Sequence, residues 1–224
     1  MTALAIDYVP PNRNREGRIV GIDVAVRTLL DAFAHYADVD SFFCRTADAA
    51  AFEELHKHMA QRDGDPGRWH HLGVDTPLET VGAGTLFRPD PNINGLIARR
   101  TKSGPQAYSV CGLSHTMSSM QVMGTVATAI TQPLQSWDAV VCPSRAIRGV
   151  VESLWEAASQ GAALPPAQLP VIPLGIDTAR FSALTGDGMR AAQRLVLGAD
   201  AEDVVVLFYG RLSYHNKAHP LPLL

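Results

Sequence analysis

From Ile22 onward the apolar residues fall three and four apart: Ile22, Val26, Leu29, Leu30 and Phe33. That spacing puts them on one face of a helix. Ahead of it, LAIDYV (4–9) is a short apolar run stopped by Pro10 and Pro11, and predicts a first strand. NRNREGRIVG (12–21) lies between as a polar loop with glycines at 17 and 21. SFFC (41–44) predicts a second strand. ADAAAFEELHKHMAQR (47–62) is rich in helix formers, with Phe52, Leu55 and Met59 on one side. GDPGRWHHLGVDTPLE (64–79) carries turn signals and only a brief apolar segment.

The second half repeats the alternation. GTLFRPDP (84–91) predicts a strand end running into a proline-rich loop, and NINGLIARRTK a short helix. In QAYSVCGLSHTMSS (106–119) strand-prone residues run into Gly-Leu-Ser-His, and MQVMGTVATAI then predicts a helix. Asp138 to Cys142 reads as a buried parallel strand. Ser144 caps a predicted helix whose inward face is Ile147, Val151, Leu154, Trp155 and Ala158. LPVIPLGIDTARF (169–181) begins as a short strand, broken by Pro173 and turned at Gly175. DGMRAAQRLVLGA predicts a helix closed by Gly198, and EDVVVLFYG (202–210) has the most continuous strand pattern in the chain.

Strands and helices that alternate with short links predict an α/β fold, a Rossmann-like parallel sheet covered by helices. The pattern divides near residue 175. Residues 1–175 hold enough elements for a complete α/β domain; residues 176–224 hold a linker, one helix and one strand. One strand forms no sheet alone, so the second domain is expected to be truncated, and the edge of strand 203–209 to be docked, disordered or met by a missing partner.

Composition narrows the classes. With 19 basic and 22 acidic side chains the formal charge is −3, which gives no long-range attraction to nucleic acid or anionic membrane. Three cysteines (44, 111 and 142) are odd in number and far apart, and match neither a metal cluster nor a disulfide framework. A reducing, cytoplasmic setting is expected, with no metal. The apolar start MTALAIDYVP lacks a basic segment and is too short for a secretory leader.

Ligands of open α/β sheets bind at the carboxyl ends of the strands. Gly17 to Gly21 follows the first predicted strand, where glycines let backbone N–H groups approach an anion. Its spacing is neither Gly-x-Gly-x-x-Gly nor a P-loop, and an ordinary loop explains it equally well. His115 follows a strand among small hydroxyl residues, and can hydrogen-bond a sugar hydroxyl or move a proton; a structural histidine is the alternative. The pairs His56/His58 and His70/His71 lack an accompanying ligand set. Arg211 follows the strand-ending Gly210, and Lys217 comes six residues later; two cations there can hold a diphosphate or can be solvated surface charges. Asp138 and Asp177 stand isolated and suit turn or cap duties.

Three segments in order, SWDAVVCPSRAIRGVV, LPVIPLGIDTARF and VVVLFYGRLSYHNKAHP, resemble the retaining glycosyltransferases of family 4, the glycogen-synthase-like and sucrose-synthase-like group. The resemblance is close over about residues 105 to 220 and loose over 15 to 45. It implies the N-terminal half of a GT-B fold and transfer of a hexosyl group from a nucleotide-sugar to a hydroxyl acceptor, such as a carbohydrate, with retention. It implies that His115 contacts the transferred sugar, that Arg211 and Lys217 neutralise the donor diphosphate, and that Gly17 to Gly21 lies near the donor phosphates. The nucleotide-sugar is a substrate; no cofactor is implied.

The sequence departs from that family. The family's remaining donor-domain strands, its nucleotide pocket and its glutamate motif are missing, and KAHPLPLL replaces the usual lysine-glycine. The isolated chain is therefore expected to be inactive, and a separate chain carrying the donor domain is a possible partner. The alternative is a non-catalytic binding or partner subunit that retains only the acceptor-side domain. A sugar-nucleotide epimerase is a third reading, opposed by the missing dinucleotide fingerprint.

Overall fold

The computed structural model describes residues 2–10, 21–62, 65–115, 117, 119–182 and 187–207. They divide into two compact units, Met1–Leu174 and Gly175–Leu224. In the first, six strands form one sheet: β1 (Ala3–Asp7), β2 (Ser41–Arg45), β3 (Trp69–Leu72), β4 (Thr85–Arg88), β5 (Ser109–Leu113) and β6 (Ala139–Val141). Every pairing is parallel, and the spatial order is β3-β2-β1-β4-β5-β6. The α/β fold with a Rossmann-like parallel sheet is thus present.

Parallel neighbours need crossover connections. Helices supply most of them: α1 (Gly21–Tyr36), α2 (Ala49–Arg62), α3 (Asn94–Ser103), α4 (Met120–Thr128) and, after β6, α5 (Arg145–Ser159). Side chains alternate across the sheet. Ala5, Leu86, Val110 and Val140 enter one core, with Leu96 and Ile97 of α3, Val126 of α4 and Val151 and Trp155 of α5. Their neighbours Ile6, Phe87 and Leu113 enter the other, with Leu30 of α1 and Phe52, Leu55 and Met59 of α2. Ser144 caps α5 by accepting the Ile147 N–H at 3.2 Å, as its position predicts. Ala158, expected on the inward face, is exposed, because α5 buries only Val151 and Trp155 fully.

The chief polar feature of this core is an ion pair. Arg100 of α3 is 1 % exposed and Asp138, just before β6, is 0 % exposed. Arg100 Nη2 meets Asp138 Oδ2 at 2.8 Å and Nη1 meets Oδ1. The backbone N–H groups of Val110 and Gln135 also donate to the carboxylate, each at 2.8 Å. Two more guanidinium hydrogens, one each from Nη1 and Nη2, reach the carbonyls of Tyr108 and Pro133 at 3.2 and 3.1 Å. Asp138 is therefore not the isolated turn residue that the sequence suggested. Its partner lies 38 positions away, and only the tertiary fold brings them together.

Two strand expectations change. The predicted strand at 169 is reduced to two parallel bridges beside β6, Ala139 to Gln168 and Cys142 to Val171. Pro170 and Pro173 lack the N–H groups that would continue a ladder. In the second unit, α6 (Thr178–Ser182) and α7 (Asp187–Val196) form, and Gly198 adopts a φ of 66° just beyond α7. Residues 203–207, the strongest strand pattern, form no strand among the described residues, and Val204 is 90 % exposed. A strand is defined by its neighbour, and no described residue pairs with this segment. Residues 208–210 lie outside the described residues.

No helix among the described residues is long and apolar enough to cross a membrane. The cysteines are unpaired. Burial pushes the Cys44 thiol from 9.0 up to about 12, and burial likewise raises Cys111 and Cys142 to about 11. A raised thiol pKa favours the neutral form in the folded state. That stabilisation is complete below the unfolded value near 9.0 and is lost as pH rises through the folded values. The stability difference between the wild type and Cys44→Ala, measured by urea unfolding, should therefore shrink steadily above about pH 9. A constant difference up to pH 11 would refute this coupling.

Candidate functional site

The strand order reverses between β1 and β4, so the switch point of the sheet lies outside their carboxyl ends. Asp7 ends β1, Arg45 ends β2 and Arg88 ends β4. The Asp7 carboxylate takes Arg45 Nη1 on Oδ1 and Arg88 Nη1 on Oδ2, the latter at 2.7 Å. Arg45 also donates from Nε and Nη2 to the Val74 carbonyl, at 3.2 and 2.7 Å. Arg88 Nε lies 2.9 Å from Asp90 Oδ1, an ion pair whose angle falls outside hydrogen-bond geometry. Burial alone would lower the Arg88 pKa, but Asp90 and Asp7 outweigh it and raise it. Two guanidiniums and two carboxylates thus neutralise one another and tie together the ends of β1, β2 and β4.

His115 lies two residues beyond β5, on the same carboxyl edge. Its Nε2 is 2.8 Å from the Pro89 carbonyl, so that nitrogen carries the hydrogen and donates. The contact anchors the ring to the residue that follows β4, the strand bordering the switch point. With Nε2–H committed, the neutral ring presents an acceptor at Nδ1, and the imidazolium presents a second donor there. Next to it, Ser114 is fully buried, and its Oγ has no hydrogen-bond partner among the described residues.

Gly112 makes the close approach of these loops possible. A Cβ there would lie 2.7 Å from Ile93 Cγ2 and 3.1 Å from the Asp90 carbonyl. Both neighbours are held: Ile93 is fully buried, and Asp90 O accepts the Leu113 N–H at 3.3 Å. The glycine in Gly-Leu-Ser-His therefore lets the loop after β4 lie against β5.

Of the residues singled out from sequence, His115 reaches the carboxyl edge. Gly21 is the first residue of α1; a side chain there would meet nothing within 4 Å, so the described surroundings do not demand a glycine. Gly17, Arg211 and Lys217 lie outside the described residues. Asp7 carries a signal, as an acid interrupting an otherwise apolar strand. Arg45, Arg88 and Asp90 carry no such signal in the sequence. Among the described residues no group of three or more histidine, cysteine, aspartate or glutamate side chains could hold a metal.

Comparisons with protein-family models, with curated proteins and with solved structures found no match.

The pairing at Asp7 gives a direct test of its structural role. Asp7→Ala leaves two poorly exposed guanidiniums without their shared carboxylate and should destabilise the protein by about 3–5 kcal/mol, measured by urea unfolding. A loss below about 0.5 kcal/mol, the level of an ordinary surface substitution, would contradict that role.

Proposed function

We propose that the chain is the acceptor-side part of a retaining, nucleotide-sugar-dependent hexosyltransferase. The observation that carries this reading is the hydrogen bond from His115 to Pro89 at the carboxyl edge. It holds a titratable ring beside the switch point of a parallel sheet, where ligands of such sheets bind. The ordered sequence motifs add the reaction class. In the proposed reaction His115 contacts a hydroxyl of the transferred hexose through Nδ1. The neutral ring would accept from that hydroxyl, and the imidazolium would donate to it.

Arg211 and Lys217 would stabilise negative charge on the departing diphosphate. Preplaced cations are effective because that charge grows toward the transition state. The same resemblance assigns Gly17 to Gly21 to the donor phosphates. Nucleotide, sugar and acceptor identities are left open by these residues.

A second reading, a non-catalytic binding or partner subunit, draws support from the carboxyl-edge network. Asp7, Arg45, Arg88 and Asp90 are occupied with one another, as structural groups are, rather than presented to a ligand.

The two readings separate in one assay. The tagged chain, purified from its source cells with whatever accompanies it, is incubated with radiolabelled UDP-, GDP- and ADP-hexoses and a pool of hydroxyl acceptors. The transferase reading expects label transfer with at least one donor, and a loss of about 10²-fold or more in His115→Ala at unchanged thermal stability. Absence of transfer with all three donors, or full activity in His115→Ala, would refute it.

A further inference from the structure

The opposite end of the sheet carries a second recess. Gly84 precedes β4, Gln106 to Tyr108 precede β5, Ser109 opens β5, and Trp137 lies just before β6. These residues line a cleft of about 400 Å³. That volume falls within the range of about 300–1,000 Å³ common for small-molecule sites. The cleft lies at the amino ends of the strands, away from Asp7, Arg88 and His115 at the carboxyl edge.

Its chemistry is specific. Trp69 and Trp155 are 3 % and 2 % exposed, whereas Trp137 is 40 % exposed. A single exposed apolar side chain is ordinary. This one differs in being held on a rigid turn beside an open recess lined by both apolar and neutral polar groups. The Asp138 N–H donates to Gln135 O at 3.0 Å, and the Gln135 N–H returns to Asp138 Oδ2 at 2.8 Å. Gln168 Nε2 donates to Ser136 O at 2.8 Å. The residues on both sides of Trp137 are therefore fixed, and its indole is offered to solvent with little ordering left to do on binding.

The rest of the lining contains no carboxylate, ammonium or guanidinium group. That disfavours a phosphate or an acidic peptide, which would be left without a counter-charge. Gln106 supplies an amide, a donor and an acceptor at once. The Ser109 hydroxyl bonds Thr85 Oγ1 at 2.8 Å and the Gly84 carbonyl at 3.3 Å. A flat aromatic face beside an amide that donates and accepts, and a hydroxyl oxygen left to accept, suits a ligand with one apolar face and a rim of hydroxyls. We propose that this cleft binds a neutral carbohydrate ring, its C–H face on the Trp137 indole and its hydroxyls toward Gln106 and Ser109. The site is independent of the carboxyl-edge residues and of any transfer reaction there.

The test is ligand-observed NMR with the full chain and three neutral trisaccharides: maltotriose, mannotriose and chitotriose. Saturation transfer to the ring protons of at least one is expected, with a dissociation constant on the order of 1 mM or tighter, suited to a shallow site. Trp137→Ala should weaken that binding at least about tenfold, by removing the stacking partner. Gly84→Leu, which adds a bulky side chain to the lining at a position where a Cβ meets nothing within 4 Å, should do the same with the indole intact. Circular dichroism of both variants should match the wild type. Absence of binding by all three sugars, or equal affinity in wild type and both folded variants, would overturn the proposal. So would concentration-dependent protection of Trp137 from acrylamide with no sugar bound, which would make the face a contact between copies of the chain.

Discussion

The buried pair between Arg100 and Asp138 is the constraint on which the second half of the sheet depends. A carboxylate removed from water has to fill its acceptor positions, and here two guanidinium nitrogens and two backbone N–H groups fill them. Those donors come from α3, from β5 and from the turn before β6. One side chain therefore fixes three segments that the sequence keeps far apart. A pair of this kind need not exceed a well-packed apolar core in stability. Its effect is on register, since no shifted arrangement of β5 against β6 would satisfy the same four bonds.

The two edges of the sheet inherit that order differently. At the amino edge the Asp138 bonds hold the turn that presents Trp137. At the carboxyl edge the fixed course of β5 delivers Gly112, Ser114 and His115 to the loop after β4. There a second polar network, centred on Asp7, ties together the ends of β1, β2 and β4. The sheet is thus clamped at both ends by arginine–aspartate contacts, with two apolar cores between them. His115 and Trp137 stand beside these clamps without belonging to them.

Much of the α/β pattern was legible because its signals are local. α1 and α2 showed their core-facing residues at helical spacing, except that Ile22 of α1 is exposed, and β2 and β6 read as short apolar runs. β3 was not identified as a strand, because in Trp-His-His-Leu only Trp69 and Leu72 are buried, and they face opposite cores. The segment 203–207 failed the other way: apolar β-branched residues have strand propensity, yet hydrogen bonds to a neighbour make a strand. The site was legible only in part. His115 stood out as a histidine after a strand, whereas Arg45, Arg88 and Arg100 carry no local signal, because the Asp7 and Asp138 carboxylates that they meet lie 38, 81 and 38 positions away.

Native-state hydrogen exchange at the Gln135 amide tests the central role of Asp138 most directly. Gln135 lies in an irregular segment, where an amide bonded only to water would exchange rapidly. If the Asp138 carboxylate anchors this turn to the core, Gln135 N–H and Val110 N–H should exchange only through global unfolding, with the same opening free energy as the central strands. Rapid exchange at Gln135 while the β1 and β4 amides stay protected would show that the turn opens on its own, and would contradict the account.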